Sequence, residues 1–175
     1  MRKLMFLFIL AGFPAAVFSQ IDPNLQTSEP FPFNVVLLTP DSTVSNSETV
    51  LGKKNNPILL AFWLTTCVPC SFELDAYASH YADWQKQYGL QIVAISVDFP
   101  ERFRRIEERL KEKKYPFPVW WDQYRTFKLI MPGELNGLPQ VFLFDKSGKM
   151  AWRHKGYSTE SEQEMVAELE KMKKQ

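Results

Sequence analysis

Cysteine is scarce in this chain: two stand in 175 residues, Cys67 and Cys70, too few for a disulfide scaffold. Histidine is equally thin, with only His80 and His154, so a zinc site of nitrogen and sulfur ligands would have to gather all four residues. Glycine, at 7 residues, is sparse, and no repeat or low-complexity tract interrupts the sequence; such a composition is not that of a disordered chain. Neither sign of charge dominates, since 21 basic residues face 20 acidic ones. Nothing therefore asks for nucleic acid or an anionic membrane surface. Long apolar runs are missing too, for the longest falls short of the ~20 residues that cross a bilayer. What remains, at this length and with 45% hydrophobic residues, predicts one domain with a real core.

The longest apolar run lies at the start. Arg2-Lys3, a nearly unbroken apolar stretch from Leu4 to Phe18, and then Ser19-Gln20 have the layout of a secretory signal peptide. The small residues Val17 and Ser19 put cleavage before Gln20. This predicts a signal peptide over 1–19, an extended lead-in over 20–32 carrying Pro23, Pro30 and Pro32, and a folded domain over 33–175. An uncleaved anchor is the competing reading; a lipidated form is disfavoured because no cysteine lies near the cleavage region. An exported, periplasmic domain meets an oxidising compartment, where a disulfide persists.

Downstream, hydrophobic spacing sets the elements. Phe33 to Leu38 is β-prone and ends in the turn residues Pro40-Asp41-Ser42, while Thr43 to Asn56 is polar, with at most a short strand or helical turn. Ile58 to Trp63 is continuously apolar, the pattern of a central strand covered on both faces. Phe72, Tyr77, Tyr81, Trp84 and Tyr88 then fall at helical spacing as a packing stripe, and Gly89 ends that helix. Gln91 to Val97 reads as a second buried strand. Asp98 and Pro100 supply a helix start, and Phe103, Ile106 and Leu110 are the apolar stripe of a charged helix with Glu101–Arg105 and Glu107–Lys111 pairs. Pro116 to Trp121 predicts a short strand, Asp122 to Ile130 a turn or two of helix, and Pro132-Gly133 a turn. Gln140 to Phe144 and Met150 to His154 form a hairpin, and Thr159-x-x-Glu162 is a capping box before a last helix with Met165, Leu169 and Met172 inside. The crossover rule makes the two strands around the first helix parallel.

The cysteines sit where the central strand gives way to the first helix. A sulfur at a helix N-terminus faces unpaired N–H groups and the positive end of the macrodipole, which lowers a thiol pKa from ~8.5 into the range of roughly 3.5–7.5. Cys67 is thereby the attacking sulfur, and Cys70, one turn later, resolves the mixed disulfide. Pro69 is tolerated in a turn whose N–H groups lack helical partners. Rival readings stay open here. Zinc is poorly served, because His80 lies on the same helix roughly 15 Å from Cys70. Covalent haem attachment wants a histidine where Ser71 stands, and an inert disulfide closing so short a loop is a weak staple.

The strand with Phe62-Trp63-x-x-x-Cys67-x-Pro69-Cys70 and its helix, the strand leading to Asp98, and Gly137-Leu138-Pro139-Gln140-Val141-Phe142-Leu143-Phe144-Asp145 with Gly148 occur in one order. In that order they resemble the TlpA/ResA-like group of the thioredoxin superfamily, extracytoplasmic thiol-disulfide oxidoreductases. The resemblance implies an α/β thioredoxin-like fold: a mixed central sheet flanked by helices, with an N-terminal β extension and a central helical insertion. It also implies that Pro139 is a cis-proline opposite the cysteines, that Leu138 offers its backbone to an extended substrate, and that Trp63, Thr66, Val68 and Pro69 complete the substrate contact. Glu73 matches a glutamate found three residues after the second cysteine in some members, an expected proton carrier; the bland alternative is a solvated helix glutamate. Thr66, Leu138 and the Leu74-Asp75 pair depart from the group's usual residues, so no particular partner carries over.

The expectation is an exported reductase of partner protein disulfides. It would be re-reduced by a membrane thiol electron donor, use no cofactor beyond the redox-active Cys67–Cys70 disulfide, bind no metal or nucleic acid, and act as a monomer. The alternatives are a soft-metal chaperone using the cysteines with His80 or His154, and a thiol peroxidase. The second lacks the threonine expected three residues before its cysteine, where Leu64 stands.

Overall fold

Ile58–Trp63 (β3) is apolar at every position because both of its faces are covered: all six residues are buried. On one side it pairs in parallel with Gln91–Ser96 (β4), and on the other it runs antiparallel to Gln140–Phe144 (β6). The computed structural model describes residues 31, 35–39, 41, 43–48 and 55–174. The expected signal peptide and all of the lead-in but Phe31 lie outside the described residues. Val119–Trp121 (β5) extends the sheet parallel to β4, and Val36–Leu38 (β1) with Val44–Asn46 (β2) adds an antiparallel pair beyond it. Met150–Lys155 (β7) closes the far edge, giving the order β2-β1-β5-β4-β3-β6-β7. This is the mixed sheet of a thioredoxin-like fold, with its N-terminal β extension on the β5 side.

Helix placement follows from handedness. The chain moves from β3 to β4 to β5 in one direction, so right-handed crossovers put Val68–Tyr88 (α1) and Phe103–Lys113 (α2) on the same face. Thr159–Lys173 (α4) joins them through Met165 and Leu169, over Leu59, Ala61 and Trp63. The alternate residues Ile58, Leu60 and Phe62 face a second cluster with Phe127 of the short helix Thr126–Ile130 (α3), and with Met131 and Leu135 beyond it. Phe31 is buried in that cluster, edge-on to Phe144 at 5.0 Å, and its N–H donates to the Gly148 carbonyl at 2.9 Å. Phe31, within the expected lead-in, is thus packed against the domain.

Along α1 the stripe of Tyr77, Tyr81 and Trp84 is buried, with Tyr77 and Trp84 in a T-shaped contact at 5.8 Å. Phe72 departs from it and is 61% exposed. Five residues from Phe72 to Tyr77 turn a helix by about 140° beyond a full circle, which carries Phe72 off that face. Gly89, at φ +69°, closes the helix in the left-handed conformation and donates its N–H to Gln85.

Two other local expectations are corrected. The last helix is capped one residue earlier than predicted: Ser158, in extended backbone, exchanges hydrogen bonds with Ser161, each at 3.2 Å. Glu162, freed from the box, accepts from the Tyr157 hydroxyl at 2.5 Å instead. The charges of α2 reach across rather than along the helix. Arg109 donates to Ser71 Oγ and Lys113 pairs with Asp75, both at 2.7 Å, while among the described residues no Glu101–Arg105 or Glu107–Lys111 ion pair forms.

Candidate active site

The turn after β3 is built to hold a sulfur at a helix start. Cys67 donates its N–H to the Leu64 carbonyl at 3.0 Å and takes extended backbone angles as the N-cap of α1. Its sulfur occupies the place a capping oxygen would fill, accepting the Cys70 N–H at 3.2 Å. Pro69, in the first turn, gives up no helical hydrogen bond. Cys67 and Cys70 are joined, with sulfurs 2.00 Å and Cα atoms 5.2 Å apart. The pair is unequal: Cys67 is half-buried and Cys70 is 0% exposed.

Asp98 holds the turn from behind. Expected to start a helix, it is instead wholly buried, and its carboxylate accepts from the Thr65 N–H, the Thr65 hydroxyl and the Ser96 hydroxyl, each at 2.8 Å. The 3-10 turn Pro100–Arg102 that leads into α2 begins without any side-chain cap. Trp121 Nε1 donates to the Asp98 carbonyl at 2.9 Å, so β5 joins the same brace. Sequence reading missed Thr65, Ser96 and this role of Asp98; the available signal was the polar Ser96-x-Asp98 ending on an otherwise apolar strand.

The Leu138–Pro139 peptide is cis. Phe62 pairs with Gln140, which brings this loop to the end of β3 that carries Cys67. Pro139 is buried, and its carbonyl accepts the Gly156 N–H at 2.8 Å, while Gln140 Nε2 donates to the Asn136 and Gly137 carbonyls at 3.2 and 2.8 Å. Leu138 is half-buried against both core clusters.

Thr66, Val68 and Pro69 are exposed around Cys67, and Phe72 stands out one turn further on. Trp63, expected among the substrate contacts, is corrected: it is only 2% exposed, packs in the cluster that contains Cys70, and has no partner for its buried indole N–H. An inward position on a strand covered on both faces leaves it no surface to present.

Glu73 is not a solvated helix residue. It is 1% exposed, shares a helical face with Cys70, and accepts one long hydrogen bond from the Tyr77 hydroxyl, at 3.3 Å. Burial pushes its carboxyl up to about 8; the Tyr77 bond opposes this, and the nearby Glu162 carboxylate adds to it. Sequence reading gave Glu162 only a capping role and did not mark Tyr157, since neither has a spacing relation to the cysteines. Among the described residues no three His, Cys, Asp or Glu side chains converge as a metal set. His80 and His154 instead face Glu162 at 4.0 Å and Glu164 at 3.8 Å.

Comparison with known proteins gives the site a setting. The chain is 27% identical over 154 residues to the thiol-disulfide oxidoreductase ResA of Geobacillus thermodenitrificans, covering 86% of this chain and 83% of that protein. It is 31% identical over 111 residues to ResA of Bacillus cereus, a match that covers 63% of this chain and 61% of the relative. Among solved structures, a thioredoxin-like protein from Porphyromonas gingivalis superposes with a TM-score of 0.69 at 26% identity, over 81% of this chain and 90% of that one. The resemblance to ResA-like proteins drawn from the motifs thus holds at the level of whole sequences. The model of the AhpC/TSA family matches residues 31–153, from the buried Phe31 through the cysteine pair and the cis-proline into β7, and this chain belongs to that family.

Proposed function

We propose that the protein is an exported thiol-disulfide oxidoreductase that reduces disulfides in partner proteins. The observation that carries this reading is the unequal exposure of the joined pair, with Cys67 half-buried at the helix cap and Cys70 sealed beneath it. An incoming sulfur reaches only Cys67. In the reduced protein the Cys67 thiolate attacks a partner disulfide, forming a mixed disulfide and expelling one partner thiolate. Cys70 then gives up its proton, attacks Cys67 and releases the second partner sulfur, leaving the Cys67–Cys70 disulfide. Two electrons pass to the partner, and a membrane thiol donor returns them.

In this scheme Glu73, three residues from Cys70, relays the proton of the resolving thiol, taking it as its own proton leaves, and returns one on re-reduction. The exposed Thr66, Val68 and Pro69, with the backbone of Leu138 and the wall of Pro139, form the substrate contact. The relatives named thiol-disulfide oxidoreductase support the chemistry, and Arg2-Lys3 with its apolar run supports export.

The test is a trap. Cys70→Ser expressed in intact cells is expected to accumulate mixed disulfides through Cys67 on partners in the exported fraction, Cys67→Ser to accumulate none, and the wild type to reduce a disulfide-bonded test protein. A wild type that leaves the test protein oxidised, with no species trapped by Cys70→Ser, overturns the proposal.

A further inference from the structure

A line of titratable groups runs along α1 away from the disulfide. Cys70, Glu73, Tyr77 and His80 follow at alternating spacings of three and four, which is one helical stripe. Exposure changes sharply along it. Cys70, Glu73 and Tyr77 are at 0%, 1% and 0%, whereas the His80 side chain is 54% exposed. The first turn of α4 lies over this stripe. Glu162, its side chain 14% exposed, stands 4.0 Å from His80 Nε2 and accepts the Tyr157 hydroxyl at 2.5 Å. From its own helix Glu73 meets Tyr77 at 3.3 Å, and from α4 it feels the charge of Glu162. Tyr157, ahead of α4, feels Glu73 in turn. His80 is held in place by its ring contact with Trp84, centroids 5.3 Å apart.

We propose that Glu162 is a positioning residue for the exchange reaction, and that with Tyr77 and His80 it forms a proton path from Glu73 to solvent at the seam between α1 and α4. The inference rests on the exchange function proposed above. Its physical motive is timing. While Cys67 is held in a mixed disulfide, the proton that Cys70 surrenders starts from a sulfur with no exposure and has no open route of its own to water. As Glu73 hands its own proton through the Tyr77 hydroxyl toward the Glu162 carboxylate it takes the one from Cys70, and Glu162 releases the relayed proton to water beside His80. Each transfer moves one proton and no electrons; on re-reduction the direction reverses, and Glu73 delivers a proton to the leaving Cys70 thiolate.

The test separates the two sulfur steps. Reduced protein is mixed rapidly with a small aromatic disulfide whose released thiol is coloured: the first release reports attack by Cys67, and the second reports resolution by Cys70. Glu162→Gln, which keeps an acceptor for Tyr157, is expected to leave the first release intact and to slow the second about tenfold near neutral pH, a modest share of what proton-transfer groups contribute. Added imidazole, a diffusible proton carrier, should restore it. His80→Gln, at a position more than half exposed, should show the same slowing in smaller degree. Resolution at the wild-type rate in both variants, or a slowing that imidazole does not relieve, overturns the proton path. Absence of even the first release in the wild type would instead overturn the exchange function itself.

Discussion

Two carboxylates lie buried beside the cysteine pair, and they are opposites. Asp98, in front of β5, is surrounded by donors: a backbone N–H and two hydroxyls end on its two oxygens. Glu73, beneath Cys70, has a single long bond from Tyr77 and another carboxylate nearby. Their exposures, 0% and 1%, are the same to any practical measure. Burial therefore does not distinguish these two acids; the number of donors does. A carboxylate supplied with three hydrogen bonds is anchored as an acceptor and pins the loop that carries Thr65. A carboxylate buried without them holds its proton to an unusually high pH and is free to trade it.

The largest effect separating the two should appear in the pH dependence of stability. Glu73 has a folded value of about 8 against an ordinary 4.5, so the native state binds the extra proton. Stability from this group is fully present below pH 4.5 and is lost as pH rises to 8. Glu73→Gln is accordingly expected to match the wild type near pH 4.5 in urea unfolding, and to exceed it by on the order of 3 kcal/mol at pH 8. A constant gap across that range would erase the distinction drawn here. Next in size, Asp98→Ala should cost about 2–3 kcal/mol, because it strands the Thr65 N–H and the Ser96 hydroxyl without their acceptor. Asp98→Asn, which keeps one acceptor oxygen, should recover part of that loss in the same assay. The smallest effect is the sharpest in sign. Tyr77→Phe removes the one donor that Glu73 has, and should move its titration, followed by carboxyl carbon NMR, to higher pH with a stability change of about 1 kcal/mol or less.

The same contrast marks what was legible in the sequence. Elements with a long, clean period came through: the unbroken β3, the α1 stripe from Tyr77 to Trp84, and the β6–β7 hairpin all lie where their spacing puts them. So did two pieces of local geometry, the cysteine pair at a strand-helix join and the cis bond of Leu138-Pro139 ahead of a strand. Asp98 was misread because its partner Thr65 is 33 residues away, and an aspartate before a proline looks the same whether it caps a helix or braces a loop. The capping box slipped by one residue because Ser158 and Thr159 are both competent caps, and only the backbone angles choose between them. Trp63 was placed at the surface by analogy, although its strand has no outer face. Nothing near Glu73 announces Glu162, since helices distant in the chain are brought together by the packing of Met165 and Leu169.

The seat of Phe31 settles how the molecule presents itself. Its N–H is bound to Gly148 in the turn between β6 and β7. Pairing of Ile58 with Phe144 sets that turn at the start of β3, the length of the strand, roughly 20 Å, from the end that bears Cys67. Phe31 is therefore seated at the opposite end of the sheet from Cys67, and a substitution there would loosen the turn between β6 and β7 without entering the cysteine face.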